Sequence, residues 1–288
     1  MKPTALEETR LLIRHALAED LGERGDITTQ ALFDSGRIID AEMLVKQNGV
    51  LCGLDVAIQV FHEVHPGVTV EKLAEDAQKV AAGAIICRIT GRADALITAE
   101  RTALNFIGRL SGVATLTRLF VDRVAGTSAK ILDTRKTTPG WRRLEKYAVA
   151  CGGGVNHRMG LYDLFLIKDN HIAAAGGIAA AVAGCREYMR RNRFTASIEV
   201  ETKTLEELEQ ALALDVDRIM LDNMPLALMR RCVQRVNQRV PLEASGGVSL
   251  ETVRAIAETG VDFISIGALT HSAPVLDISL EVIPEQNG

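Results

Sequence analysis

The sequence predicts an α/β protein, a (β/α) barrel short of eight strands preceded by an α+β amino-terminal domain. Three observations predict it. From residue 129 onward, short apolar strands alternate with helical segments at intervals of about 20 to 35 residues, the rhythm of βαβ units and a parallel sheet. The first hundred residues lack that rhythm and mix helices with strands bounded by glycine turns. The chain has 288 residues, 47% of them hydrophobic and 24% charged, which is enough to bury a barrel-sized core and excludes a largely disordered chain. An open doubly wound sheet is the structural alternative, but no GxGxxG follows an early strand.

The elements follow in order. Residues 5–21 place Leu6, Leu12, Ile13, Leu17 and Leu21 at mostly helical spacing, and the Gly22–Gly25 turn ends the run. Strand-like segments at 37–46 and 84–90 flank a helical 53–64. A long helical stretch from about 94 to 125, expected to break near Gly108–Gly112, bridges to the second region. The strands there are AKILDT (129–134), LFLIK (164–168), SIEVE (197–201), RIMLD (218–222), PLEAS (241–245) and DFISIG (262–267). The Ala-rich 173–183 segment reads as a close-packed helix.

The formal net charge is −4, which argues against nucleic acid as the main partner. The charge is unevenly placed. Residues 134–168 hold Arg135, Lys136, Arg142, Arg143, Lys146, Arg158 and Lys168 against only Glu145 and Asp163, an excess of +5. The segment MKPTALEETR lacks the apolar core of a signal peptide, and no run reaches membrane-spanning length. Five cysteines without a CxxC pair indicate neither a disulfide framework nor a zinc knuckle. The expectation is a soluble, cytoplasmic protein.

In α/β barrels the reactive groups gather where strands end. Each expected strand end here carries a polar or glycine group: Thr134-Arg135-Lys136, Lys168-Asp169-Asn170, Glu201, Asp222-Asn223, Ser245-Gly246-Gly247 and Gly267. One such terminus is ordinary surface; six around one rim make a site. Arg135, Lys136, His157, Arg158 and Lys168 form a cationic group, Glu201 and Asp222 an anionic one. Arginine forks match carboxylates, lysine serves phosphate, and the glycine loops SGG and Ile266-Gly267-Ala268 allow backbone amides to approach an anion. These features suggest a polyanionic, partly phosphorylated substrate, with the carboxylates left for a metal, sugar hydroxyls or a developing positive charge.

Plainer readings stand beside these. CGGGVNHR (151–158) could be only a flexible loop. His157 reads as a positioning donor rather than a metal ligand, because no second histidine lies at ligand spacing. Arg142, Arg143 and Lys146 read as a solvated or interface face. Glu199 shares a strand face with Glu201, so one of the two is open to a structural role.

The segments DTRKTTPG (133–140), EKYAVACGGGVNHRMGLYDLFLIKDNHI (145–172), EVE (199–201), LDN (221–223) and EASGGV (243–248) together resemble the quinolinate phosphoribosyltransferase family, and GDITT (25–29) and AERTALNFIGRLSGVAT (99–115) fit it too. The resemblance implies phosphoribosyl transfer from phosphoribosyl pyrophosphate to quinolinate with decarboxylation, requiring Mg²⁺. It implies an open barrel of fewer than eight strands over residues 113–274 and an amino-terminal domain over 1–112 to which the tail 275–288 returns. It also implies a homodimer in which Arg101 reaches the partner's site. Arg135, His157, Arg158 and Lys168 would surround quinolinate, while Lys136 and Lys168 would face the phosphoribosyl substrate beside Thr134. Glu201 and Asp222 would hold ribose hydroxyls or Mg²⁺, with Lys136 among the catalytic groups. Ser245, Gly246, Gly247, Ile266, Gly267 and Ala268 would cradle the 5′-phosphate. A nicotinate-using relative and a silent binding protein are the alternatives. The concentrated cations speak against the first, and Lys136, Lys168, Glu201 and Asp222 together against the second.

Overall fold

The computed structural model describes residues 7–33 and 36–284; Ala5 and Leu6 of the expected first helix, and 285–288 of the expected tail, lie outside them. In chain order the elements are α1 (Glu7–Leu21), α2 (Ile27–Leu32), β1 (Ile38–Val45), β2 (Gly49–Val50), α3 (Leu54–Val64), β3 (Thr69–Lys72), β4 (Lys79–Val80), β5 (Ile85–Arg92) and α4 (Ala93–Arg123). Then come β6 (Lys130–Leu132), α5 (Arg142–Cys151), β7 (Leu164–Ile167), α6 (Asp169–Ala175), α7 (Ile178–Asn192), β8 (Ser197–Thr202) and α8 (Leu205–Leu212). The chain continues through β9 (Arg218–Asp222), α9 (Leu226–Val236), β10 (Leu242–Ser245), α10 (Val253–Ala257), β11 (Phe263–Ser265), α11 (Ala268–His271) and β12 (Ile278–Val282).

Two compact units result, one comprising 1–118, 138–153 and 272–288, the other 119–137 and 154–271. The first unit is α+β. Its four-stranded antiparallel sheet runs β12-β1-β5-β3, so β12, late in the chain, pairs with β1. α3 turns one face inward, burying Leu54, Val56, Ala57, Val60 and Phe61, the spacing of an amphipathic helix. Asp26 caps α2 by accepting the Thr29 amide at 3.0 Å.

α4 corrects one expectation, since it runs unbroken through Gly108 and Gly112. The glycines are there for contact. A Cβ at Gly112 would lie 1.9 Å from the Pro274 carbonyl oxygen, and Leu276 N–H donates to the Gly108 carbonyl at 3.0 Å. α5, read as a solvated or interface face, is also corrected in part. Lys146 is fully buried, while Arg143 is exposed and pairs with Glu8 at 2.6 Å. The glycine run after α5 is packed rather than a loose loop, because a Cβ at Gly152 would sit 2.4 Å from the Ala114 carbonyl oxygen.

The second unit is a six-stranded parallel sheet ordered β6-β11-β10-β9-β8-β7. Sequential strands are neighbours and the first pairs with the last, which is a barrel's order with the ring open between β6 and β7. Each strand alternates faces. Ile198, Val200, Ile219, Leu221, Leu242, Ala244 and Ile264 are at most 2% exposed, while Glu199, Glu201, Met220, Asp222, Glu243 and Ser245 occupy the other face. The expected single helix over 173–183 is two helices. Gly176 and Gly177 adopt φ of 85° and 134° and end α6, and Ala173, Ala174, Ala179, Ala180 and Ala183 are exposed rather than close-packed.

Candidate functional site

Parallel strands share a polarity, so their carboxyl ends open on one rim. Register aligns them further, Asp222 beside Ser245 and Ser245 beside Ser265. A cavity of about 610 Å³ sits there within the second unit. It is lined by Thr134, Arg135, Lys136, His157, Arg158, Lys168, Glu201, Asp222, Ser245, Gly246, Gly247, Ile266, Gly267 and Ala268. Of the residues given site roles from sequence, only Arg101 lies outside this lining, exposed on α4 in the other unit; the strand-end residues Asp169 and Asn170 also lie outside it.

The cationic side is built from β6, the 154–163 loop and the end of β7. Val155 bridges to Leu132, and Asp133, fully buried, accepts the His157 amide at 2.8 Å, which fixes the loop against β6. Arg158 donates to the Leu164 carbonyl at 3.1 Å. Burial and the neighbouring Arg135 guanidinium hold the Arg158 pKa below its ordinary value, so two forks converge where an anion relieves their repulsion. Lys136 donates its amide to Thr134 Oγ1 at 3.0 Å and gives its carbonyl to Thr270 Oγ1 at 2.7 Å. Gly267 is needed beside it, since a Cβ would lie 2.9 Å from Lys136 Cδ.

On the anionic side, Glu201 Oε2 lies 3.7 Å from Lys168 Nζ, and the lysine side chain is half exposed at the rim. Burial raises the Glu201 pKa, Lys168 opposes that, and the charge of Asp222 adds to it. Asp222 Oδ1 accepts Asn223 Nδ2 at 2.9 Å. Asn223 adopts φ of 52° and gives its amide to the Ser245 carbonyl at 2.8 Å. Its side chain fills the space over Gly246, where a Cβ would meet Asn223 Oδ1 at 2.1 Å. The glycine at φ of 99° is thus required twice, by backbone and by space.

Beneath the rim lies a layer that sequence reasoning largely missed. His157 Nε2 is 3.1 Å from Glu199 Oε2 and 3.5 Å from Glu243 Oε2, both glutamates being fully buried. Arg218 Nη1 donates to Glu243 Oε2 at 2.9 Å, and its guanidinium lies 4.3 Å from the Phe263 ring centroid. Burial alone would pull the imidazole pKa down, but the two carboxylates outweigh it and push it up to about 9. They do so although the Arg158 amide faces Nδ1 from 2.7 Å. Glu243 is driven up by burial, yet His157 and Arg218 hold its pKa below the ordinary value. His157, Glu199 and Glu243 also have donor atoms within 4.8 Å of one another, and Arg218 braces the Glu243 end of the cluster. The i, i+2 spacing of Glu199 and Glu201 was the one sequence signal for this layer. Glu243 and Arg218 gave none, because their partners come from other strands.

Similarity to known proteins extends over nearly the whole chain. Residues 26–111 match the model of the quinolinate phosphoribosyl transferase N-terminal domain and 113–281 that of its C-terminal domain. A Mycobacterium leprae protein named nicotinate-nucleotide pyrophosphorylase (carboxylating) is 45% identical over 281 residues, covering 96% of this chain and 98% of its own. The chloroplastic protein of that name from Arabidopsis thaliana is 44% identical, covering 96% of this chain and 84% of its own. The solved nicotinate-nucleotide pyrophosphorylase of Francisella tularensis superposes with a TM-score of 0.93 at 42% identity, covering 98% of each chain.

Proposed function

The chain belongs to the quinolinate phosphoribosyltransferase family, and from that membership we propose how its barrel cavity works. The enzyme transfers phosphoribosyl from phosphoribosyl pyrophosphate to quinolinate with decarboxylation, giving nicotinate mononucleotide, pyrophosphate and carbon dioxide in de novo NAD synthesis. One observation carries the reading. Four cationic side chains, a glutamate-held imidazole and the carboxylates of Glu201, Asp222 and Glu243 line a single cavity.

Arg135, His157 and Arg158, with Lys168, clamp the two carboxylates of quinolinate. Lys136 and Lys168 face the pyrophosphate and Ser245–Gly247 with Ile266–Ala268 face the 5′-phosphate. As the C1–pyrophosphate bond lengthens, positive charge grows on the ribose, and Glu201 and Asp222 stabilise it more than they stabilise the neutral sugar. The pyridine nitrogen then bonds to C1 and becomes cationic. The carbon–carbon bond to the adjacent carboxylate breaks, its electrons pass into the cationic ring, carbon dioxide leaves and a proton takes its place. Nicotinate fills only one of the two carboxylate subsites, leaving the cations of the other without their anion, and is rejected for that reason.

Glu201 and Asp222 suit Mg²⁺, because burial and the charge of Asp222 both raise the Glu201 pKa and a divalent cation relieves that repulsion. The ion would neutralise charge on the pyrophosphate, and these two carboxylates would hold it. The reading extends to a homodimer in which Arg101, exposed on α4, reaches the site of the partner protomer. A cytoplasmic setting fits five free thiols. No helix among the described residues is long and apolar enough to cross a membrane.

A steady-state assay offering quinolinate and nicotinate separately tests the proposal. Turnover of quinolinate with at least a hundredfold lower kcat/KM for nicotinate is expected. Turnover of nicotinate without quinolinate would overturn it.

A further inference from the structure

Within the first unit, two cysteines and a carboxylate meet through the backbone pattern. β2 and β4 pair antiparallel, and the pairing continues past them. Leu51 N–H donates to the Gln78 carbonyl at 2.9 Å and Ala77 N–H to the Leu51 carbonyl at 2.8 Å. Cys52 is thereby brought opposite Asp76. α4 fixes Cys52 from behind, because Ser111 Oγ accepts its amide at 2.9 Å and donates to its carbonyl at 3.1 Å. One turn further along α4, the Ala114 carbonyl receives Gly152, a contact that tolerates no Cβ, and this seats Cys151 at the end of α5. Cys52 Sγ, Cys151 Sγ and a carboxylate oxygen of Asp76 lie within 4.8 Å of one another.

Asp76 has an ordinary structural duty as well. Its Oδ1 accepts the Gly53 and Leu54 amides at 2.9 and 3.1 Å, anchoring the first turn of α3, and its Oδ2 accepts the Tyr147 hydroxyl at 2.9 Å. That duty explains a carboxylate here. It does not explain two thiols placed against it.

We propose that Cys52, Asp76 and Cys151 form a binding site for one zinc-class divalent cation, with water as the fourth donor. The site would tie the start of α3, the loop before β4 and the end of α5 together. Two thiolates select a borderline-soft ion over magnesium or calcium. In a tetrahedral zinc site the donors stand about 3.3–3.8 Å apart, so the cluster needs to contract by at most about 1.5 Å. The carboxylate is already oriented by two amides and a phenol, as ligating carboxylates commonly are. Cys52 is fully buried, while Cys151 and Asp76 are partly exposed and leave water a way to the fourth position.

A hydrogen bond from Cys52 lowers the Cys151 pKa. Burial pushes the Cys52 thiol and the Tyr147 phenol up, and the Asp76 charge adds to this and also opposes ionisation of Cys151. A cation reverses that opposition. A disulfide would use the two sulfurs but leave the carboxylate working against the thiolate that disulfide exchange requires.

The test uses the full chain, reduced, stripped with a chelator and titrated with Co²⁺. One equivalent should produce the near-ultraviolet thiolate-to-cobalt charge-transfer band and the visible bands of a tetrahedral ion, and Zn²⁺ should bleach them. Cys151→Ser, half exposed and expected to fold, should lose the charge-transfer band, and Cys185→Ser should keep it. Asp76→Asn, which retains the acceptor for α3, should weaken Co²⁺ binding about 10- to 100-fold, with circular dichroism confirming the fold of each variant. Absence of the band in the folded, reduced wild type, or its survival in a Cys52→Ser/Cys151→Ser double variant, would overturn the proposal.

Discussion

His157 shows how one residue acquires its chemistry from others. Alone in sequence it is a histidine without ligand spacing; in the fold it stands over two fully buried glutamates, one of them braced by Arg218. Against the effect of burial, the two carboxylates raise its pKa from 6.5 to about 9. The sign follows from linkage. A raised folded-state pKa favours the folded state fully below pH 6.5, and that contribution is lost as pH rises through about 9. The same titration should be visible in catalysis. With quinolinate, kcat/KM should stay level through neutral pH and the alkaline limb attributable to His157 should fall near pH 9. His157→Asn should remove that limb from the profile, and an unchanged limb in the variant would assign it to another group. The rim residues Arg135, Lys136, Lys168, Glu201 and Asp222 could be named from the sequence because each follows an apolar strand. Glu243 could not, since an acid inside a strand acquires a meaning only when its cross-strand neighbours are known.

At the scale of elements, alternation did most of what sequence could do. The I-E-V-E pattern of β8 and the apolar cores of β6, β7, β9, β10 and β11 were legible because a strand side-chain period of two needs no partner to be read. Glycine was harder. Gly108 and Gly112 looked like a helix break, because local propensity disfavours glycine in a helix, yet α4 keeps its hydrogen bonds and uses both as a seat for residues 274–276. The two effects oppose one another in a Gly112→Ala variant. Propensity would stabilise the helix by about 1 kcal/mol, whereas the added methyl would meet the Pro274 oxygen at 1.9 Å, an overpacking worth about 3 kcal/mol. The clash should win, with a net loss of about 2 kcal/mol in urea unfolding. A variant as stable as the parent would show that the tail segment yields freely. Lys146 taught the reverse lesson, because helical spacing of three cations does not say which of them faces inward.

Over the whole molecule, the charge excess of residues 134–168 resolves by destination. Arg135, Lys136, Arg158 and Lys168 line the cavity, while Arg142, Arg143 and Lys146 belong to α5 in the other unit. A net charge of −4 thus hides a concentrated cationic cluster in the cavity lining. That a linear segment feeds two units was not readable from composition, since 138–153 packs with the first unit although the chain on both sides of it builds the barrel. The shared-site reading has a whole-molecule consequence. Arg101→Ala and Lys136→Ala should each be nearly inactive, and mixing them under subunit exchange should restore about a quarter of wild-type activity, because half the random dimers carry one intact site in two. No restoration at any ratio would mean that each chain supplies its own complete site.

The central claim is that one cavity couples ribosyl transfer to loss of a carboxylate, and a single stoichiometry tests it most directly. Quinolinate labelled in the carboxylate next to the ring nitrogen is incubated with phosphoribosyl pyrophosphate and Mg²⁺, and pyrophosphate and labelled carbon dioxide are counted together. Equal amounts, appearing in step and accompanied by nicotinate mononucleotide, are the predicted result. Pyrophosphate released without carbon dioxide, or carbon dioxide formed without ribosyl transfer, would contradict the account.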